Sequence, residues 1–412
     1  MAEDDIYGNK KRYEFVVNSL SSITKKPVSK KYKYYCKNQV NTKYFDKLII
    51  NFDVKDLSYI RRVKLLYLLK RITYIIEKDL KKCDRDDINK IVAFFHTTHK
   101  TVESKRDFIK DLKCTWRVLF PEKDQEGRVD ETITPYPIRH LSRRIDRSKQ
   151  KRRNDKLTWD EFQCILRFFE KDPQIQAYLA LAVESLGRPQ EMLFTKIRDY
   201  NFYDNYAKIW ISEHGKEGTG FLQCIDSYPY VMRWYNLHPF KDDPDAYFFI
   251  NTGNRGLYKQ LKPLNLNKRI KHALKVLKIE KQVTCYSFKR NGVTFSRDKG
   301  ETDAEIQHKA RWTTTKQLHT YDMTTHEDAF KSRLRKRGLL DSSLKADSKV
   351  KTCGFCSHSN GFAADFCGNC KRPLDRDKIA EMRQLNDQIA SNGLVQQMAR
   401  LEKMFETMVA KQ

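Results

Sequence analysis

Long apolar runs are missing from this chain. No stretch approaches the ~20 residues that a helix needs to span a bilayer. The start, "MAEDDIYGNKKRYEF", is polar and lacks the apolar core of a secretory signal. A membrane role is therefore not expected, and the protein is expected in the cytoplasm, where thiols stay reduced. No internal repeat is present, and 412 residues suggest two or three domains, each able to bury a core. Acid is in short supply: 53 acidic residues face 80 basic ones, a net charge of +27. Such an excess says little about fold but predicts attraction to polyanions, nucleic acid first among them. The bland alternative is a lysine-rich, solvated surface. With 40% hydrophobic residues, most of the chain should fold.

Ten cysteines are present, and six stand singly: Cys36, Cys83, Cys114, Cys164, Cys224 and Cys285. Each reads as a small apolar residue. The other four, Cys353, Cys356, Cys367 and Cys370, form "CGFCSHSNGFAADFCGNC". Two C-x2-C pairs at this separation fit one tetrahedral zinc held by four thiolates. Gly354 and Gly368 fall inside the pairs, where a turn is easiest. Four protein ligands leave no open position, so the metal is expected to be structural. Such a ribbon could bind DNA, bind protein, or staple a small fold, and the spacing does not choose.

The first 125 residues read as helical. "DLSYIRRVKLLYLLKRITYIIEKDL" carries an apolar stripe at Ile60, Leu65, Leu68, Leu69 and Ile72, with lysines and arginines between. "DDINKIVAFF" and "ESKRDFIKDLKCTWRVLF" suggest two more helices. Residues 126–157 read as a basic linker, centred on "IRHLSRRIDRSKQKRRNDK". Its single sign of charge suits a path along phosphates. A second domain, 158–340, opens with a capping-box pattern, Thr158 to Glu161 in "LTWDEF". Helix "PQIQAYLALAVESLG" follows, then a β-hairpin in "YAKIWISEHGKEGTGFLQCI", then helices "NKRIKHALKVLK" and "DAEIQHKARW". The ribbon occupies 350–375. Residues 376–412 suggest amphipathic helices, striped by Ile379, Met382, Leu385 and Ile389, then by Leu394, Met398, Leu401, Phe405 and Met408. The fold class is mainly α with a small β-sheet (α+β).

Chemistry concentrates in the second domain. Arg188 in "GRPQEML" is of the type that grips phosphate, because its fork bonds in pairs and never deprotonates. Lys216 sits on the glycine-rich hairpin tip. "YSFKRNG" packs Lys289 and Arg290 behind Tyr286, and "ARWTTTKQLHTY" ends in Tyr321. Each alone has an ordinary reading: a solvated cation or a half-buried ring. Their order resembles the tyrosine recombinase (phage-integrase-type) family. The family runs R-x-x-E-L, a hairpin lysine, H-x-x-R, then G-H/W and a tyrosine nine residues on. Here Arg188, Glu191 and Met192 match the first box, and Tyr321 lies nine residues after Trp312. "HPFKDDPDA" and the ribbon resemble the archaeal integrase branch. The middle box departs from the pattern. Counting from Gly300 and Trp312 places Lys289 on the second-arginine position and Tyr286 on the histidine position, with Arg290 one residue out of register. Register favours Lys289; a shifted helix start would favour Arg290.

The resemblance implies a helical DNA-binding N-terminal domain and a tyrosine-recombinase catalytic domain. It implies strand cleavage and rejoining through a 3′-phosphotyrosine, with Tyr321 as nucleophile. Arg188 and Lys289 (or Arg290) would hold the non-bridging oxygens. Lys216 would protonate the leaving 5′-oxygen. Trp312 would donate its indole N–H, and Tyr286 its hydroxyl, to phosphate. Glu191 reads as a brace rather than a proton carrier, and His308 and His319 as ordinary surface or core histidines, with a local proton partner as the alternative for each. One structural zinc is expected, with no nucleotide or catalytic metal. The partners expected are double-stranded DNA and further copies of this chain, a tetramer in the synapse, in a nucleoid-associated protein that moves a mobile element. Two rivals stand: a type IB topoisomerase-like nicking-closing enzyme, and a catalytically weakened zinc-ribbon DNA-binding protein.

Overall fold

The computed structural model describes residues 8–27, 33–99, 101–130, 132–144, 154–211, 219–254, 256–340 and 349–374, with positions 380, 384, 398, 400 and 401 of the tail. Lys216, residues 145–153 of the expected linker and nearly all of the expected C-terminal helices lie outside the described residues. The chain divides into two compact units between residues 153 and 154. It is mainly helical, with small antiparallel sheets.

In the first unit, α1 (Asn9–Asn18), α2 (Lys43–Val54), α3 (Tyr59–Ile75), α4 (Arg85–Thr98) and α5 (Val102–Leu119) enclose one core. Asp84 caps α4 by accepting the N–H of Asp87, which answers through its own carboxylate. Four of the five expected stripe residues of α3 are buried; Ile60, on the first turn, is exposed. Packing sets the buried face further along, where Leu66 and Val63 join it. The unit continues past residue 125. A two-stranded hairpin, β1 (Glu122–Lys123) and β2 (Val129–Asp130), leads to α6 (Tyr136–Arg139), whose Ile138 is in the core.

The second unit starts with the capping box read from sequence. The Glu161 N–H donates to Thr158 Oγ1 at 3.1 Å, and the Thr158 N–H to Glu161 Oε2 at 2.7 Å. This opens α7 (Trp159–Phe168). Helix α8 (Pro173–Ser185) follows and is buried along almost its whole length, which explains its apolar run from Ala177 to Val183. It ends at Leu186, in the left-handed conformation, and Gly187. A side chain on Gly187 would press on Met192 Cγ at 2.9 Å. Next come the short α9 (Pro189–Leu193) and a three-stranded antiparallel sheet: β3 (Tyr200–Phe202), β4 (Ala207–Ile211) and β5 (Gly220–Cys224). Strands β4 and β5 are the expected hairpin; β3 is too short to be legible beforehand.

The half-buried Glu184 on α8 accepts the N–H groups of Ile225, Asp226 and Ser227 at 2.8, 2.9 and 2.8 Å. It thereby fixes the entry to α10 (Tyr228–Leu237). After α11 (Pro263–Val276), helix α12 (Ser287–Lys299) crosses α8 at Gly292. A Cβ there would collide with the Val183 carbonyl oxygen and lie 2.6 Å from Leu186 Cδ2. The short α13 (Asp303–Lys309) and α14 (Leu318–Tyr321) fold back on α12, and α15 (His326–Lys336) follows. Finally β6 (Lys351–Thr352) and β7 (Ser359–Asn360) pair in the four-cysteine segment. Among the described residues no helix is long and apolar enough to cross a membrane.

The crossing gives a direct prediction. Gly292→Ala should lower unfolding stability by about 1–3 kcal/mol, because the added methyl must push two packed helices apart. A chemical-denaturation midpoint equal to that of the parent chain would contradict the packing described.

Candidate active site

Four separate segments deliver side chains to one buried place. The turn after α8 supplies Arg188. Helix α12 supplies Lys289, and the residue just before it supplies Tyr286. The turn after α13 supplies Trp312, and α14 supplies Tyr321. Leu186, Val293, Ile306, Ala310 and Leu318 wall the cluster. The rings of Trp312 and Tyr321 stack, with centroids 5.1 Å apart and planes at 29°. Lys289 is fully buried, and its Nζ lies 5.5 Å from the centroid of each ring. Tyr286 Oη meets Tyr321 Oη at 2.5 Å. The Trp312 indole N–H is buried and has no acceptor among the described residues.

Tyr321 is 8% exposed. Burial first, then the hydrogen bond with Tyr286, push its phenol up to about 12, against a downward pull from the Arg188 guanidinium. Only about one phenol in 10⁵ would be ionised at neutral pH with such a value.

The two cations of the middle box face different ways. Lys289 lies against the Trp312 and Tyr321 rings, and Arg290 lies against Tyr286. The Arg290 guanidinium is paired with Asp155 and lies 5.5 Å over the Tyr286 ring. Asp155 also accepts the Ser287 hydroxyl at 2.9 Å, and Asn291 Nδ2 reaches the Asp155 carbonyl at 2.9 Å. This face of α12 clamps the chain as it enters the second unit.

Sequence reasoning missed Arg311. Its backbone is left-handed, with φ 56°. A non-glycine residue pays roughly 1–2 kcal/mol for that conformation. Its Nη2 donates to Glu191 Oε2 at 2.7 Å, while Arg188 Nη1 reaches Glu191 Oε1 at 3.4 Å. The same carboxylate accepts the Arg188 N–H at 2.8 Å. Glu191 is thus a brace, as expected, but one shared by two arginines. Asp155 was missed too. One arginine among 80 basic residues, or one acid in a basic stretch, carries no signal of its partner. His308 and His319 are exposed.

The four cysteines form a second centre. Their sulfurs all lie within 4.8 Å of one another, with Cys353 to Cys370 and Cys356 to Cys367 each at 3.5 Å. A tetrahedral zinc with Zn–S bonds near 2.3 Å needs sulfurs about 3.8 Å apart, so the donor set fits. Two matching turns build it. The Ser357 N–H donates to the Cys353 carbonyl at 2.9 Å, and the Lys371 N–H to the Cys367 carbonyl at 3.0 Å. The left-handed residues are Ser357 and Lys371, one past each pair, rather than Gly354 and Gly368. Asn360 supports the site by accepting the Gly368 N–H at 2.8 Å.

This segment is not a loose appendage. Phe362 is buried, with its ring 5.3 Å from Trp159 and 5.4 Å from Tyr230. The Ala363 N–H donates to Tyr230 Oη at 2.9 Å, and Arg167 Nε to the Ala363 carbonyl at 3.1 Å. Gly361 lies so close to the Tyr230 ring that no side chain fits between them.

No family model and no curated relative matches the sequence. Solved structures do match. One is the XerH site-specific recombinase bound to a palindromic difH substrate in a post-cleavage complex. Its identity is 13% and its TM-score 0.54, over 79% of this chain and 93% of that one. The integrase of transposon Tn1549, in complex with transposon right-end DNA, matches at 10% identity and TM-score 0.54. The match covers 72% of this chain and 99% of that one. A lambda integrase tetramer bound to a Holliday junction matches at 15% identity and TM-score 0.53, over 68% of this chain and 76% of that one. At such identities the likeness shows the fold, which is that of tyrosine recombinases.

The docked cysteine segment yields a prediction. Metal chelation should release zinc, read with a colorimetric indicator, and lower the melting temperature by roughly 5 °C or more as the Phe362 contact loosens. Chelation that leaves melting unchanged, or a purified chain that holds no zinc, would contradict it.

Proposed function

We propose that this protein is a site-specific DNA recombinase of the integrase type, acting through a 3′-phosphotyrosine. The observation that carries this reading is the convergence of Arg188, Lys289, Trp312 and Tyr321, far apart in sequence, around one buried phenol. A composition of +27 net charge supports DNA as the partner. The fold's DNA-bound relatives support the same partner, and the tetramer among them supports action by several copies of this chain.

In this mechanism Tyr321 Oη attacks the scissile phosphorus. The P–Oη bond forms, the P–O5′ bond breaks, and the phenol proton passes to solvent. Lys216 gives its proton to the departing 5′-oxygen. Arg188 binds the non-bridging oxygens through its fork, and Lys289 adds a desolvated point charge. The Trp312 indole N–H and the Tyr286 hydroxyl donate to the same phosphate. Each preorganised donor is typically worth about 2.7–4 kcal/mol in a transition state of this charge. The 5′-hydroxyl of a partner strand then reverses the step. One ester replaces another throughout, so the energy of the strand is conserved and no nucleotide is consumed. Arg290 acts from outside, by fixing α12 to Asp155. The zinc ribbon and the "HPFKDDPDA" run support the archaeal branch of the family, and a mobile element as the context.

Nicked suicide DNA carrying the sequence that flanks the gene should trap a covalent adduct in EDTA. The adduct should be lost on Tyr321→Phe, and a plasmid with two sites should give recombinant products. Relaxation without recombinants would favour the topoisomerase-like rival. Tight binding with no adduct would favour the weakened DNA-binding protein, with Lys289 as the lesion.

The Tyr286 contact adds a pH prediction. Its hydroxyl raises the Tyr321 phenol, so its removal lowers the proton affinity of the nucleophile. The alkaline rise of cleavage rate should therefore move to lower pH in Tyr286→Phe. A profile that stays in place, or moves up, would show that this hydrogen bond does not set the nucleophile's titration.

A further inference from the structure

The geometry points to Arg311 as a positioning residue for the reaction proposed above, acting through Glu191 on Arg188. Glu191 is buried, and its nearer cation is Arg311, at 2.7 Å; Arg188 lies at 3.4 Å on the other oxygen. Two groups alone, Arg188 and Glu191, would make a neutral pair. A phosphodiester arriving there would meet no net charge from that pair, only the charge of Lys289, and would face a carboxylate of its own sign. Arg311 takes up the carboxylate's charge, and the cluster then presents net positive charge to the phosphate. In a buried site such a change is weakly screened.

Two features indicate that the arginine is placed rather than tolerated. Its backbone holds φ 56°, which glycine adopts freely and arginine does not. Strand β5 also makes room for its side chain: a Cβ on Gly220 would press on Arg311 Cδ at 2.9 Å. The stem of Arg311 therefore runs over a bare stretch of strand to reach Glu191. Its chain neighbour, Trp312, stacks on Tyr321. One short turn thus sets both the ring beside the nucleophile and the counter-ion behind Arg188.

The test is a charge-swap series on nicked suicide DNA: Arg311→Gly, Arg311→Lys, Glu191→Gln, and Arg311→Gly with Glu191→Gln. Glycine relieves the backbone here but leaves the buried Glu191 carboxylate with one cation fewer, so the melting temperature of Arg311→Gly should fall by a few degrees and recover with Glu191→Gln. Its cleavage rate should fall about 100-fold, the scale seen when one preorganised donor is lost. Adding Glu191→Gln should recover roughly tenfold or more, because the uncompensated carboxylate is gone while an oxygen remains to accept the Arg188 N–H. Arg311→Lys should keep most of the rate. Cleavage unaffected by Arg311→Gly, or a double variant as slow as the single one, would overturn the inference. Parent chain and Tyr321→Phe run alongside. If the parent forms no adduct, the recombinase reading fails, and binding of inorganic phosphate decides the arginine instead. Weakening by Arg311→Gly and recovery with Glu191→Gln would uphold it; indifference would overturn it.

Discussion

The crossing of α12 over α8 at Gly292 is the constraint from which the site hangs. Helix α8 ends three residues past the crossing, at Leu186, and its turn hands the chain to Arg188. From the other helix, Lys289 and Tyr286 project one turn and nearly two turns before the contact. Trp312 and Tyr321 come from short elements that pack on the same pair. With any residue but glycine at the crossing, the helices would separate and the cations would draw away from the phenol. A missing side chain therefore sets the distance between the charges and the tyrosine.

Charge placement follows from that frame. Helix α12 carries adjacent cations that face different ways, Lys289 toward the rings and Arg290 toward Asp155. The first is desolvated among aromatics, where a positive charge acts strongly on an incoming anion. The second is neutralised and holds the helix. Glu191 performs a similar division between Arg188 and Arg311. In the proposed chemistry the buried acids are structural, and the cations do the work on phosphate. Burial and the hydrogen bond with Tyr286 raise the Tyr321 phenol above its ordinary value.

Much of the frame is legible in sequence because it is local. The Thr158–Glu161 box starts α7 as its pattern implies, and the apolar run of α8 reads as a buried helix. The four cysteines announce their site by spacing. That Tyr321 lies beside Arg188 and Trp312 is legible through their order in the chain. Pairings across the chain are not legible. Asp155 and Arg290 are 135 residues apart, and Glu191 and Arg311 are 120 apart, so composition and periodicity give neither. The left-handed backbone at Ser357 and Lys371 is hidden for a related reason. Each directly follows the second cysteine of a pair, and neither is a residue type that favours that conformation. The Phe362 anchor, likewise, is an ordinary aromatic until its partners on α7 and α10 are known.

The most direct measurement is the site of attachment in the trapped complex. Nuclease and trypsin digestion, followed by tandem mass spectrometry, would examine the peptide Gln317–Lys331. Nucleotide joined through its 3′-phosphate to Tyr321 is the expected result. Nucleotide on any other side chain, or joined through a 5′-phosphate, would contradict the chemistry assigned to this fold.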